Sequence, residues 1–150
     1  MTPHSTWREQ YDRMCRWQER IFGRTPIDQE LEDDAHAFFT SCFHLKDWLK
    51  HDSIIPQEVR DKVERYLTGN MWLRLCADLA NGSKHMVLDD RRRFDEDSKV
   101  ESLLIPPPLM PVGAVLVVRL GETRYPVDRV VERCVDAWKV FLADHGLDTS

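Results

Sequence analysis

The chain contains 150 residues with a mass of 17.7 kDa, a length typical of one domain with a substantial hydrophobic core. Hydrophobic residues make up 42% of the chain and charged residues 31%, which argues against a disordered protein. The formal net charge of -5 excludes a generally basic nucleic-acid coat, although it is compatible with a local basic surface.

No apolar run reaches the ~18 residues that a membrane span needs, and residues 1–11 are polar, so neither a membrane span nor a signal peptide is predicted. We therefore expect a cytoplasmic protein. The four cysteines form no CxxC pair, and each lies on the apolar stripe of a predicted helix. Buried, reduced thiols are expected, and a zinc site built from these residues is disfavoured: Cys15, Cys42, Cys76 and Cys134.

Two helices are predicted in the first third of the chain. Thr6 and Glu9 form a capping box, in which each side chain can bond a free backbone amide at the start of a helix over about 6–22. Pro26 is suited to the first turn of a second helix, over 26–51, because it has no amide to leave unbonded. Apolar residues recur at helical spacing along both segments.

The remaining segments predict a short array of helices interrupted by extended chain. In chain order they are helices over about 56–67 and 70–86, a charged and then proline-rich connection over 87–111, a β-hairpin over about 112–127, and a helix over 128–145. Within the connection, residues 100–105 have an extended pattern. The predicted fold is mainly α, a single-domain bundle of about five helices with a small β-hairpin before the C-terminal helix.

The fourth predicted helix carries a polar stripe. Arg74, Asp78, Asn81 and His85 are spaced by four, three and four residues, so they lie on one side, opposite the apolar face. Arginine and histidine suit phosphate binding and proton transfer near neutral pH. The alternative is the ordinary polar outer face of an amphipathic helix.

The second predicted helix carries a histidine-rich stripe away from the core. Its members at helical spacing are His36, Thr40, His44, Asp47 and His51. If it faced another helix, imidazole and carboxylate ligands from His44, Asp47, His51 and His85 would suit Zn²⁺ or Mn²⁺. Solvated histidines are the more common explanation, so no metal is our first expectation.

The first predicted helix presents arginines along one side, and they form a candidate track for a phosphate backbone: Arg13, Arg16, Arg20 and Arg24. An ordinary charged face is favoured, because neighbouring acids can pair with them and no exposed aromatic residues are expected between them. The chain also lacks a P-loop, a GxGxxG segment and a GxSxG segment.

Three segments carry a resemblance to known families: FFTSCFHLKDWL at 38–49, LCADLANGSKHMVL at 75–88 and RCVDAWKVFL at 133–142. They resemble a family of small uncharacterised bacterial proteins with HLKDW and ANGSKH motifs and, more distantly, the HEPN domains. The HEPN resemblance implies a helical bundle that dimerises. It also implies either a metal-independent endoribonuclease of toxin or antiphage systems, or an inert module that binds RNA, nucleotides or a partner protein.

The HEPN motif combines an arginine, a following polar residue and a histidine four to six residues beyond the arginine. Asn81 and His85 match the polar residue and the histidine, but Ala80 stands where the arginine is expected. The resemblance implies that His85 acts as general acid and base, Asn81 orients phosphate or imidazole and Asp78 sets the histidine tautomer. In a homodimer, Arg74 would bind phosphate across the interface.

We therefore predict a HEPN-like protein that acts on RNA without a cofactor, as a homodimer and with no membrane association. Lys84, His44 and Asp47 are candidate substrate-binding residues. The alternatives are a non-catalytic module that binds RNA, a nucleotide or a cognate partner protein, and a helical metal-binding protein.

Overall fold

The computed structural model describes residues 6–22, 29–84, 99–104, 114–120, 123–147 and 149. These residues are mainly helical, and a small antiparallel sheet precedes the last helix, so the predicted fold class is confirmed. None of the described helices is long and apolar enough to cross a membrane.

The first two helices follow the sequence prediction closely. Helix α1 (Trp7–Ile21) begins at the predicted capping box, where the Thr6 hydroxyl accepts a hydrogen bond from the Glu9 amide at 3.4 Å. Helix α2 (Gln29–His51) is followed by Asp52, whose buried carboxylate accepts hydrogen bonds from the amides of Trp7 and Ile54, both at 3.0 Å. This carboxylate therefore connects the start of α1 to the end of α2.

The predicted third helix is divided into α3 (Gln57–Arg60) and α4 (Val63–Gly69). The division arises because the Lys62 amide bonds the carbonyl of Val59, only three residues back, and so tightens one turn. Helix α5 (Met71–Lys84) begins after Asn70, whose side-chain oxygen accepts from the amides of Trp72 and Leu73 at 3.0 and 3.1 Å.

The sheet has the strand order β1-β2-β3, with both pairs antiparallel. Strands β2 (Ala114–Leu120) and β3 (Thr123–Pro126) form the predicted hairpin. Strand β1 (Lys99–Leu104) adds a third strand within the predicted connection over 87–111, in agreement with the extended pattern noted at 100–105. Helix α6 (Val127–Asp144) follows β3 directly.

Helix α2 is central to the core and packs against α1, α5 and α6. Its Phe38 and Phe39 are fully buried, as are Trp138 and Phe141 of α6. The indole Nε1 of Trp138 donates to the backbone carbonyl of Cys42 at 3.1 Å. The core therefore lies between α2, α5 and α6, whereas α1 covers one side of α2 and presents its opposite face outward.

Candidate functional site

Helix α5, which carries the predicted catalytic stripe, is more deeply buried than its polar pattern predicts. Leu73 and all residues from 75 to 80 are buried, including Asp78, of which 4% is exposed. The expectation that Asp78 lies on an outer face is wrong, because α5 packs against α2 on one side and against α4 and α6 on others. The tautomer-setting role of Asp78 stays a prediction.

The other members of the predicted HEPN motif occupy different environments. Arg74 and Asn81 are half-buried, whereas His85 and the side chain of Lys84 lie outside the described residues. Ala80, which stands where the motif has arginine, is 1% exposed. This position is therefore part of the core and is filled by a small side chain.

The histidine-rich stripe of α2 is only partly exposed. The His51 Nδ1 donates to the backbone carbonyl of Asp47 at 2.8 Å, and the Asp47 carboxylate lies 3.6 Å from the Lys46 ammonium. His44 is half-buried. In the part of the chain that the structure describes, His44, Asp47 and His51 do not bring three ligand atoms together.

The outer face of α1 forms a surface groove of about 570 Å³. Its described lining residues are Arg13, Arg16, Trp17, Glu19 and Arg20, all from one helix. We call this surface the α1 groove. Trp17 is half-buried and lies among the arginines. Trp17 also packs against the core, so the expectation that no exposed aromatic residue lies between these arginines is not contradicted; Arg24, the fourth residue of the predicted track, lies outside the described residues.

Two arginines of the α1 groove are held over indole rings. The Arg20 guanidinium lies 5.0 Å from the centre of the Trp17 ring, and the Arg13 guanidinium lies 5.8 Å from the ring of Trp48 in α2. These distances are within the range of cation–π attraction. Trp17 and Trp48 are both partly buried and pack against the core.

Acidic groups balance only part of this positive charge. Arg20 lies 3.4 Å from the buried carboxylate of Asp34 and 3.5 Å from Glu30, and Arg13 donates to the Gln10 side-chain oxygen at 2.8 Å. Arg16 forms no ion pair with any residue in the described ranges. Arg16 is exposed on the outer face of α1.

A second cluster, in the core, was missed at the level of sequence. Cys42 of α2, Cys76 of α5 and Cys134 of α6 are buried, and their Sγ atoms all lie within 4.8 Å of one another. The prediction of buried thiols is confirmed for these three, whereas Cys15 is half-buried. Their convergence had no local signal, because the three residues belong to separate helices 34 and 58 positions apart.

The three thiols, which we call the cysteine cluster, have few polar neighbours. Cys76 Sγ donates to the carbonyl of Phe39 at 3.3 Å, and Cys134 Sγ donates to the carbonyl of Trp72 at 3.4 Å. Burial raises the pKa of the Cys76 and Cys134 thiols well above the ordinary value.

In comparisons with known proteins, no protein-family model, no curated protein and no solved structure matches the chain. The resemblance to HEPN domains therefore stays a prediction.

Proposed function

We propose that this protein acts on RNA and that it holds single-stranded RNA in the α1 groove. The observation that carries the proposal is the alignment of Arg13, Arg16 and Arg20 with Trp17 along one face of α1. Single-stranded nucleic acids are bound by surfaces that combine positive charge along the backbone with aromatic rings for the bases.

The charge of the α1 groove supports this proposal although the whole chain is acidic. The described lining residues include three arginines and one glutamate, a local formal charge of +2 against -5 for the chain. Arg16 supplies a guanidinium with no ion pair among the described residues. At physiological ionic strength, salt screens the attraction between a phosphate and distant charges. The charge of the α1 groove therefore matters more for RNA binding than the net charge of the chain.

The aromatic ring supports recognition of single strands in particular. Bases in a duplex are stacked on one another, whereas unpaired bases can stack on an indole. Trp17 is half-buried, packs against the core and also lines the α1 groove. Arg20 against that ring further restricts its orientation.

Cleavage of the bound RNA is the narrower part of the proposal and rests on the HEPN resemblance. In this scheme His85 acts as general acid and base, Asn81 orients the phosphate, and Arg74 of a second copy in a homodimer binds phosphate in place of the motif arginine. If Ala80 instead marks lost catalysis, the same surface serves a non-catalytic RNA-binding module.

Binding is tested by fluorescence anisotropy with a labelled single-stranded RNA over a series of salt concentrations. We expect Arg16→Ala to weaken binding and to reduce the magnitude of the salt slope by ~0.7, the effect of one lost phosphate contact on a single strand. Arg65→Ala, at an exposed position of α4, is the matched control and should bind like the wild type. Equal affinities for the two variants would contradict the proposal.

Cleavage is tested separately on a mixed pool of structured and single-stranded RNA, with and without EDTA. A metal-independent ribonuclease would cleave in EDTA and lose that activity in His85→Ala while its circular dichroism stays unchanged. Cleavage that persists in His85→Ala would remove this residue from the mechanism. Absence of cleavage in every sample, with RNA binding retained, would assign the protein to the non-catalytic class.

A further inference from the structure

The cysteine cluster lies in the core, where three helices each contribute one thiol. The proposed binding of RNA does not use it. We propose that Cys42, Cys76 and Cys134 together form a binding site for a trivalent thiophilic ion of the arsenite or antimonite class. The inference is independent of the α1 groove, which lies on the outer face of a different helix.

The geometry of the cysteine cluster fits a three-coordinate site. The Sγ atoms lie within 4.8 Å of one another. A pyramidal site with bonds of ~2.3 Å and S–As–S angles of about 100° places its three sulfurs ~3.5 Å apart, so a contraction of about 1.3 Å or less is needed. Each cysteine comes from a different long helix, so the three sulfurs can approach the ion from three directions.

The number of ligands separates this ion class from zinc. Structural zinc is held by four ligands. The described residues contribute three sulfurs to this group and no fourth cysteine, histidine or carboxylate. A trivalent ion of the arsenite class completes its coordination with three thiolates and a lone pair.

Charge also favours a trivalent ion in this core. The exposed fractions of Cys42, Cys76 and Cys134 are 0%, 1% and 0%. Three thiolates leave a net charge of -2 with Cu⁺ and -1 with Zn²⁺, and they leave none with As³⁺. An uncompensated charge is strongly disfavoured in a dry interior, so the neutral complex is the one that the core can accommodate.

The binding step needs no oxidant or reductant. Arsenous acid, As(OH)₃, reacts with three thiols to give As(SR)₃ and three waters: three As–O bonds break, three As–S bonds form, and each hydroxide leaves with a thiol proton. Arsenic stays in the +3 state.

The test is titration of the full chain with arsenite in a phosphine reductant, followed by native mass spectrometry and by sulfur-to-arsenic absorbance in the ultraviolet. We expect one arsenic per chain with the loss of three protons. Cys134→Ala should weaken binding at least ~10-fold, since one of three covalent contacts is removed. Cys15→Ala, which removes the half-buried cysteine outside the cluster, should bind like the wild type.

Circular dichroism and thermal unfolding establish that each variant is folded, and Cys76→Ala replaces Cys134→Ala if the latter is not. Wild-type affinity in a folded cluster variant would overturn the proposal, as would failure of the wild type to bind arsenite. Stoichiometric binding of Cu⁺ or Zn²⁺ but not arsenite would overturn the charge argument and the ion class with it.

Discussion

The outer face of α1 and the core between α2, α5 and α6 differ in how their chemistry arises from the sequence. In the α1 groove, arginines and a tryptophan come from one helix at local spacing. In the core, the cysteine cluster depends on three helices meeting. Local periodicity therefore identifies the first kind of site, whereas the second exists only through long-range packing.

The largest effect is expected on the free energy of unfolding, in a comparison of two tryptophans, one from each region. Trp138 is fully buried and donates to the Cys42 carbonyl, whereas Trp17 is half-buried beside the α1 groove. Trp138→Ala should lower the free energy of unfolding by about 3 to 5 kcal/mol, because it opens a cavity in the packed core. Guanidinium unfolding measures this loss. A Trp17→Ala variant destabilised as strongly would contradict the distinction between the two regions.

The next effect concerns the position where the HEPN motif has arginine. Ala80→Arg should destabilise the fold by about 3 kcal/mol, because it overpacks a core position and buries a charge there. The matched control is Asn81→Arg at the adjacent, half-buried position, which should cost much less. Thermal unfolding of both variants checks the comparison. An Ala80→Arg protein as stable as the wild type would show that this side of α5 is open.

A smaller effect is expected on RNA affinity. Trp17→Ala should weaken single-strand binding by about 1 to 3 kcal/mol, the contribution of stacking one base on an aromatic ring. Trp17→Tyr should retain most of the affinity, because a ring remains in the α1 groove. Anisotropy titrations on folded variants measure both. Similar losses in the two variants would indicate that the ring does not stack on RNA.

The smallest effect involves Glu64, whose carboxylate accepts hydrogen bonds from the ammonium groups of Lys46 at 2.8 Å and Lys50 at 2.9 Å. Burial opposes its ionisation, but the two lysines outweigh burial and lower the pKa of Glu64. A lowered folded-state pKa contributes stability above the unfolded-state pKa of ~4.3, and this stability is lost as the pH falls through the folded-state value.

Because the Glu64 side chain is 45% exposed, solvent screening limits this contribution to about 1 kcal/mol at most. Glu64→Gln should be slightly less stable than the wild type at pH 7 and equal to it at acidic pH. Urea unfolding as a function of pH measures the difference, with the exposed Glu58→Gln as control. A Glu64→Gln deficit that persists below pH 3 would assign the effect to packing rather than to charge.

Much of the fold was predictable because its signals are local. The side-chain cap at Thr6, the start of a helix near residue 70 and the hairpin of β2 and β3 all appear where the sequence places them. The burial of Asp78 was not predictable, because helical periodicity assumes one covered face and α5 is covered on more than one. The sequence pattern predicts that a polar residue on such a helix is exposed, although a second neighbouring helix can bury it.

The candidate sites also differ in whether their signals are local in the sequence or depend on long-range packing. The arginine track of α1 was visible in the sequence, because its members recur at helical spacing within one helix. Cys42, Cys76 and Cys134 were placed correctly in core stripes, but the register of α2, α5 and α6 decides whether they meet. That register depends on packing between residues far apart in the chain.

The most direct test of the central claim is photo-crosslinking of the wild-type protein to a single-stranded RNA containing 4-thiouridine, followed by mass spectrometry of the cross-linked peptides. We predict that the cross-links are concentrated in α1, at Trp17 or its immediate neighbours. We also predict that they are lost in a Trp17→Ala, Arg16→Ala double variant that remains folded. Cross-links concentrated on α4 or α6, or unchanged in the double variant, would contradict the assignment of the α1 groove as the RNA-binding surface.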